Sequence, residues 1–185
     1  MSVQEYDAAA TALLNGVAGR CPLLDDTMIA IAAWGVPFMV LTVAGQWWSG
    51  TDRRAKRHVL VAAGLAFFLG LALNQLLLLE FDRVRPYISG VTTLLVPPSA
   101  DPAFPSDHAT TAFAIAATFI LGQMRWQAFW FFLGAVVIAL SRVFVGIHYV
   151  GDIIGGAATG AIAAVLVAAI YKRETRIDNF ITGIF

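Results

Sequence analysis

From Val59 to Leu79 the chain carries no charged residue, and four more apolar stretches resemble it: Thr27–Trp48, Ala109–Gln123, Trp126–Leu140 and Val150–Tyr171. About 20 apolar residues let a helix cross the ~30 Å hydrocarbon core of a bilayer. Inside that core only helices and closed barrels pair every backbone group. A soluble fold cannot hide this much apolar surface in 185 residues that are 59% hydrophobic and 13% charged, with mean hydropathy +0.76. The pattern therefore predicts an all-α, polytopic membrane helix bundle in a single domain.

Five spans and one interfacial helix are expected, five to six helices in all. The domain covers residues 1–185, divided into an N-terminal segment (1–24), a helix bundle (25–171) and a cytoplasmic tail (172–185). Ser2–Gly19 sets Leu13, Leu14 and Val17 against Glu5, Asp7 and Asn15, the pattern of a helix lying flat on the membrane surface. Cys21-Pro22 ends it, and Asp25 or Asp26 is placed to cap the next helix. The acidic start lacks the basic region of a secretory signal peptide. Pro37 predicts a kink in the first span, and Trp47 and Trp48 read as interface anchors. Gly50–His58 reads as a polar connection in which His58 has no special role. Asn74 and Gln75 are suited to bonding between helices or to lining a polar pocket. Glu80–Asp107 is the longest stretch without a helical pattern.

Basic residues orient the bundle. With Gly50–His58 on the cytoplasmic side, Arg53, Arg54, Lys56, Arg57, Arg125, Lys172, Arg173 and Arg176 all lie inside. These are eight of the 12 lysines and arginines, and the N-terminus is then outside. A net charge of +0 argues against a nucleic-acid partner. The single Cys21 excludes a disulfide framework and any cysteine-rich metal site.

The same orientation brings three polar stretches to the outer face. Phe81–Tyr87 (FDRVRPY) has Arg83 and Arg85, suited to gripping phosphate oxygens. Phe104–Thr111 (FPSDHATT) leads through Ser106 and His108 into an apolar helix whose first N–H groups make a ready anion site. Ser106 is also readable as a simple N-cap, and His108 as a buried, bonded histidine. Ser141–Asp152 (SRVFVGIHYVGD) holds Arg142, His148 and Asp152 between apolar runs, where ionisable groups usually mark function. Asp152 stands four residues after His148, the spacing for a hydrogen bond that sets the ring tautomer. Arginines, a helix N-terminus and two histidines make up the inventory for phosphoryl transfer without a metal.

These stretches resemble the three signature motifs of the type 2 phosphatidic acid phosphatase (PAP2) family, K-x6-RP, PSGH and SR-x5-H-x3-D. Ser141, Arg142, His148 and Asp152 match the third. Pro105, Ser106 and His108 match the second, with Asp107 in place of glycine. Arg85 and Pro86 match the first, with Leu78 in place of its lysine. The compact chain and these departures are similar to the bacitracin-resistance type of undecaprenyl-diphosphatase. The resemblance implies hydrolysis of a lipid diphosphate at the outer face of the bacterial plasma membrane, with no cofactor and no metal. It implies His148 as the nucleophile, oriented by Asp152, and His108 as acid and then base. Arg85, Arg142 and Ser106 bind the transferred phosphoryl, and Arg83 a second phosphate in partial replacement of the lysine. Asp107 is expected to turn from the anion, cap the helix or bind a neighbour. Other lipid phosphates (phosphatidylglycerophosphate, phosphatidic acid, lipid A) are the first alternative. A transporter with a buried His/Asp proton relay or zinc site is a remote one.

Overall fold

The computed structural model describes residues 2–184, so Met1 and Phe185, the outermost residues of the expected domain, lie outside it. Among the described residues there are seven α-helices and no strand. They are α1 (Val3–Asn15), α2 (Pro22–Gly45), α3 (Arg53–Glu80), α4 (Asp107–Leu121), α5 (Arg125–Phe144), α6 (Val150–Ile170) and α7 (Arg176–Thr182), with one 3-10 turn at Gln46–Trp48. Four are long and apolar enough to cross a membrane: α2 extended through its 3-10 turn, α3, α5 and α6. The fifth expected span, α4, has only 15 residues, about 22 Å at the helical rise. It can be short because its neighbours enclose it. Its closest packing is against α6, then α5 and α3, and Ala109, Ala112, Ala114, Ile115, Ala116 and Phe119 are all buried.

The interior is built from small residues and the outside from large ones. Ala63, Ala66, Ala135 and Ala163 are fully buried, whereas Phe38, Leu41, Phe68, Trp126 and Ile154 are exposed. That distribution suits lipid as the solvent, where large side chains gain nothing by hiding and close backbone approach drives association. The α4–α6 contact depends on it. A Cβ on Gly156 would lie 2.6 Å from the Ser106 carbonyl oxygen, and one on Gly160 would collide with that of Thr110. Gly156 and Gly160 thereby bring the starts of α4 and α6 together.

Several boundaries differ from expectation, each for a local reason. α2 begins at Pro22, five residues before Thr27, because proline is well tolerated in a first helical turn. Asp25 is therefore inside the helix and accepts from the Gly19 N–H at 3.1 Å instead of capping. Pro37 sits within α2. α3 starts at Arg53, capped by the Asp52 carboxylate accepting from Ala55 N–H at 3.2 Å, so Arg53–His58 is helix and not connection. The tail also folds. In α7, Asp178 accepts from His58 Nδ1 at 2.9 Å, Tyr171 Oη at 2.7 Å and the Glu174 N–H at 2.8 Å, and the His58 and Tyr171 rings stack. His58 thus ties the tail to the bundle, a role its sequence neighbourhood does not reveal.

α1 is docked more firmly than a surface helix. A capping box of Ser2 and Glu5 starts it. Its buried face is polar: Asn15 donates to the carbonyls of Phe144 (2.7 Å) and Thr93 (3.0 Å), and Thr11 Oγ1 accepts from Val150 N–H.

Candidate active site

The three polar stretches meet at one end of the bundle, and the basic starts of α3 and α5 lie at the other. A cavity of about 280 Å³ is lined by Arg85, His108, Arg142 and His148, with Gln75, Leu78, Ser99, Asp101, Pro105 and Asp107 among the rest. Ser106 is fully buried at the N-terminus of α4, and its Oγ has no partner among the described residues. It makes no side-chain cap bond, so the N-cap reading of its hydroxyl does not hold. The first N–H groups of α4 have no intrahelical acceptor by helix geometry, and they face the same end as the cavity residues His108 and Asp107.

The arginines are fixed by main-chain carbonyls. Arg85 donates from Nε to Asp101 (2.8 Å), from Nη1 to Ile147 (3.0 Å) and from Nη2 to Pro102 (3.2 Å). Three of its five donors are engaged, and two remain for an anion. Burial lowers the pKa of Arg85 from its ordinary value, with neighbouring Tyr87 and Asp101 acting in the other direction. Arg142 donates from Nη1 to Ala32 at 3.0 Å, while its Nε is buried without a partner. An unpaired buried N–H costs about 1–3 kcal/mol; of the two unpaired groups, Arg142 lines the cavity and Ser106 stands behind Pro105 and Asp107, which do.

His148 is buried and bonded through Nδ1 to the Ala103 carbonyl at 2.8 Å. A carbonyl only accepts, so Nδ1 carries the proton and Nε2 keeps its lone pair. Asp152 Oδ2 stands farther off, 3.5 Å from Nδ1. The tautomer expected from Asp152 is therefore set by a main-chain oxygen, with the carboxylate behind it. Burial is the main cause that holds the His148 pKa below its ordinary value; Arg142 and Arg85 add to it, against the opposing pull of Asp152. Burial thus favours the neutral ring.

Of the two remaining expected residues, Arg83 departs from expectation and Asp107 does not. Arg83 does not line the cavity. It donates from Nη1 to Asp152 Oδ1 at 2.6 Å and from Nη2 to Asp7, so it serves the carboxylate and leaves the place of the missing lysine to Leu78 and Gln75. Asp107 does bind a neighbour: its Oδ1 accepts from Asn74 Nδ2 at 2.8 Å. Asn74 also bonds to Thr110, while Gln75 lines the cavity, so the adjacent amides divide the two roles foreseen for them. Among the described residues no three His, Cys, Asp or Glu side chains converge as a metal site. The groups that sequence reading missed, Ala103 and the carbonyls around Arg85, act through the main chain and leave no side-chain signal.

The profile of the PAP2 superfamily matches residues 56–176. The chain belongs to the PAP2 superfamily. It is a multi-pass membrane enzyme of the PAP2 type, a lipid phosphatase. It is 30% identical over 162 residues to the undecaprenyl-diphosphatase BcrC of Bacillus subtilis, covering 86% of this chain and 79% of that one. Its fold matches that of LpxE from Aquifex aeolicus, with a TM-score of 0.69, 25% identity and coverage of 87% and 93%. It also matches a transmembrane PAP2-type phosphatidylglycerolphosphate phosphatase from Bacillus subtilis, with a TM-score of 0.67, 24% identity and coverage of 94% and 88%.

Proposed function

We propose that this PAP2 phosphatase removes the terminal phosphate of undecaprenyl diphosphate, at the outer face of the bacterial plasma membrane, through a phosphohistidine on His148. The observation that carries the reading is the setting of His148: Nδ1 is held on the Ala103 carbonyl, which leaves Nε2 for chemistry beside two anchored arginines. The similarity to an undecaprenyl-diphosphatase over most of both chains supports the substrate. The gathering of basic residues at the far end of the bundle supports the orientation.

In this reading the terminal phosphate lies between Arg85 and Arg142 and accepts from Ser106 Oγ, Arg142 Nε and the first N–H groups of α4. Charge on the equatorial oxygens is thus met by donors already in place, the main source of rate enhancement in such sites. The Nε2 lone pair forms the N–P bond as the bond from phosphorus to the bridging oxygen breaks. His108 gives its proton to the departing lipid phosphate. Asp152 stabilises the positive charge on the phosphorylated ring. Water then attacks phosphorus while His108 takes its proton. The N–P electrons return to Nε2 and orthophosphate leaves. The released undecaprenyl phosphate is again a carrier for cell-wall synthesis.

The test is phosphate release by purified protein in chelator, for undecaprenyl diphosphate beside phosphatidylglycerophosphate, phosphatidic acid and lipid A in one detergent. Preference for undecaprenyl diphosphate, lost in His148→Ala, supports the proposal. Preference for another lipid overturns the substrate and leaves the chemistry standing.

A further inference from the structure

The carboxylate behind the nucleophile is tied, through Arg83, to a residue that lies outside all three motifs. Asp152 is fully buried, and a buried carboxylate is tolerated only when it is paired and hydrogen-bonded. Its Oδ2 accepts from the Tyr149 N–H at 2.7 Å and its Oδ1 from Arg83 Nη1 at 2.6 Å. The other Nη of Arg83 donates to Asp7 on α1, and the second oxygen of Asp7 accepts from the Gly151 N–H at 2.7 Å. The guanidinium lies over the Tyr149 ring, 4.1 Å from its centroid. Side chains from α1, from the α3–α4 connection and from the start of α6 thus form one chain: Asp7, Arg83, Asp152, His148. Gly151 makes room for it, since a Cβ there would stand 2.6 Å from Asp7 Oδ2 and 3.2 Å from Arg83 Nη1.

We propose that Asp7 is a positioning residue for the nucleophile, and that the N-terminal helix is for this reason part of the catalytic assembly. Two effects follow from the geometry. Asp7 holds one edge of Arg83 away from Asp152; without it the guanidinium is free to turn both Nη groups onto that carboxylate in a bidentate pair. Asp7 also sets the charge. Two carboxylates about one guanidinium leave one net negative charge behind His148, where the ring becomes positive on phosphorylation. Remove Asp7 and the group is neutral. The inference rests on His148 being the nucleophile, because the charge is useful only to a ring that becomes cationic. Residues coupled in one salt-bridge network in this way change the rate on the order of tenfold.

The experiment compares single-turnover rate, kcat and KM on undecaprenyl diphosphate for the full chain, Asp7→Asn, Asp7→Glu and Asn15→Ala. Asp7→Asn keeps the size and an acceptor oxygen but removes the charge. It is expected to lower the single-turnover rate and kcat about tenfold with KM unchanged, and Asp7→Glu to restore most of the loss. Asn15→Ala loosens α1 at its other end, where Asn15 bonds to Phe144 and Thr93. It is expected to lower the melting temperature and leave the rate per folded molecule intact. A wild-type rate in Asp7→Asn overturns the proposal. So does an equal loss of rate in Asn15→Ala, which would make docking the cause and not charge. A wild type that cleaves a different lipid phosphate sinks only the substrate assignment, and the same comparison is then read on that lipid. A wild type that cleaves none overturns the phosphatase reading and Asp7's role together.

Discussion

Ser106 and His148 show how a buried site can be at odds with the stability of its own fold. The Ser106 hydroxyl is buried with no partner, so Ser106→Ala is expected to leave the melting temperature unchanged or raised. Turnover should fall on the order of 10²-fold, as for loss of one preorganised donor. Thermal melts beside kcat measurements check both halves. His148 carries a pH signature. Its lowered pKa means that the cation is disfavoured, so the ring loses its proton at a pH below the ordinary value of about 6.5. The nucleophilic role proposed for His148 needs the neutral ring. The acid limb of the kcat/KM profile should therefore fall below that value, and an acid limb above it would contradict the geometry. That Arg142, His148 and Asp152 belong together was legible because ionisable side chains between apolar runs are costly and stand out, and Arg85, which shares the cavity with Arg142 and His148, was legible from its place beside Pro86. The Ala103 carbonyl was not, because every residue has one. Arg83 was misplaced because a one-dimensional pattern cannot show that two carboxylates, one of them 69 positions away, compete for it.

At the scale of the element, α4 is the piece on which the site depends. It carries His108, is led in by Ser106, and reaches α6 only because Gly156 and Gly160 have no side chains. Gly156→Ala or Gly160→Ala should push the two helix starts apart, costing about 1–3 kcal/mol by overpacking and reducing activity in the same variant. Parallel measurement of the melting temperature and kcat checks this. The same change at Gly64, where a Cβ meets nothing within 4 Å, should alter neither. The helices themselves were readable from apolar run length, whereas the enclosure that lets α4 be as short as 15 residues depends on packing that no run length shows. Helix starts were less readable. Asp52 restarts a helix just before a cluster of basic residues that reads as a loop, and the polar buried face of α1 looks like the face of a surface helix.

At the scale of the whole molecule, the two ends of the bundle do different work. One end holds the cavity. At the other, Asp178 gathers His58, Tyr171 and the Glu174 N–H. Asp178→Ala would leave those donors unpaired, at about 1–3 kcal/mol, and free α7. The melting temperature should fall while lipid phosphatase turnover of the folded enzyme persists, because the cluster shares no residue with the cavity. The bundle architecture followed from composition and run length, whereas the closure of the tail by His58 depends on a pairing across 120 positions. The central claim is that His148 carries the phosphoryl group. The most direct measurement is rapid acid-free quench of the enzyme with undecaprenyl diphosphate labelled in its terminal phosphate, followed by mapping of any base-stable, acid-labile label on the chain. Label is expected on His148 and absent in His148→Ala. Turnover with no protein-bound label, or label on another residue, would contradict it.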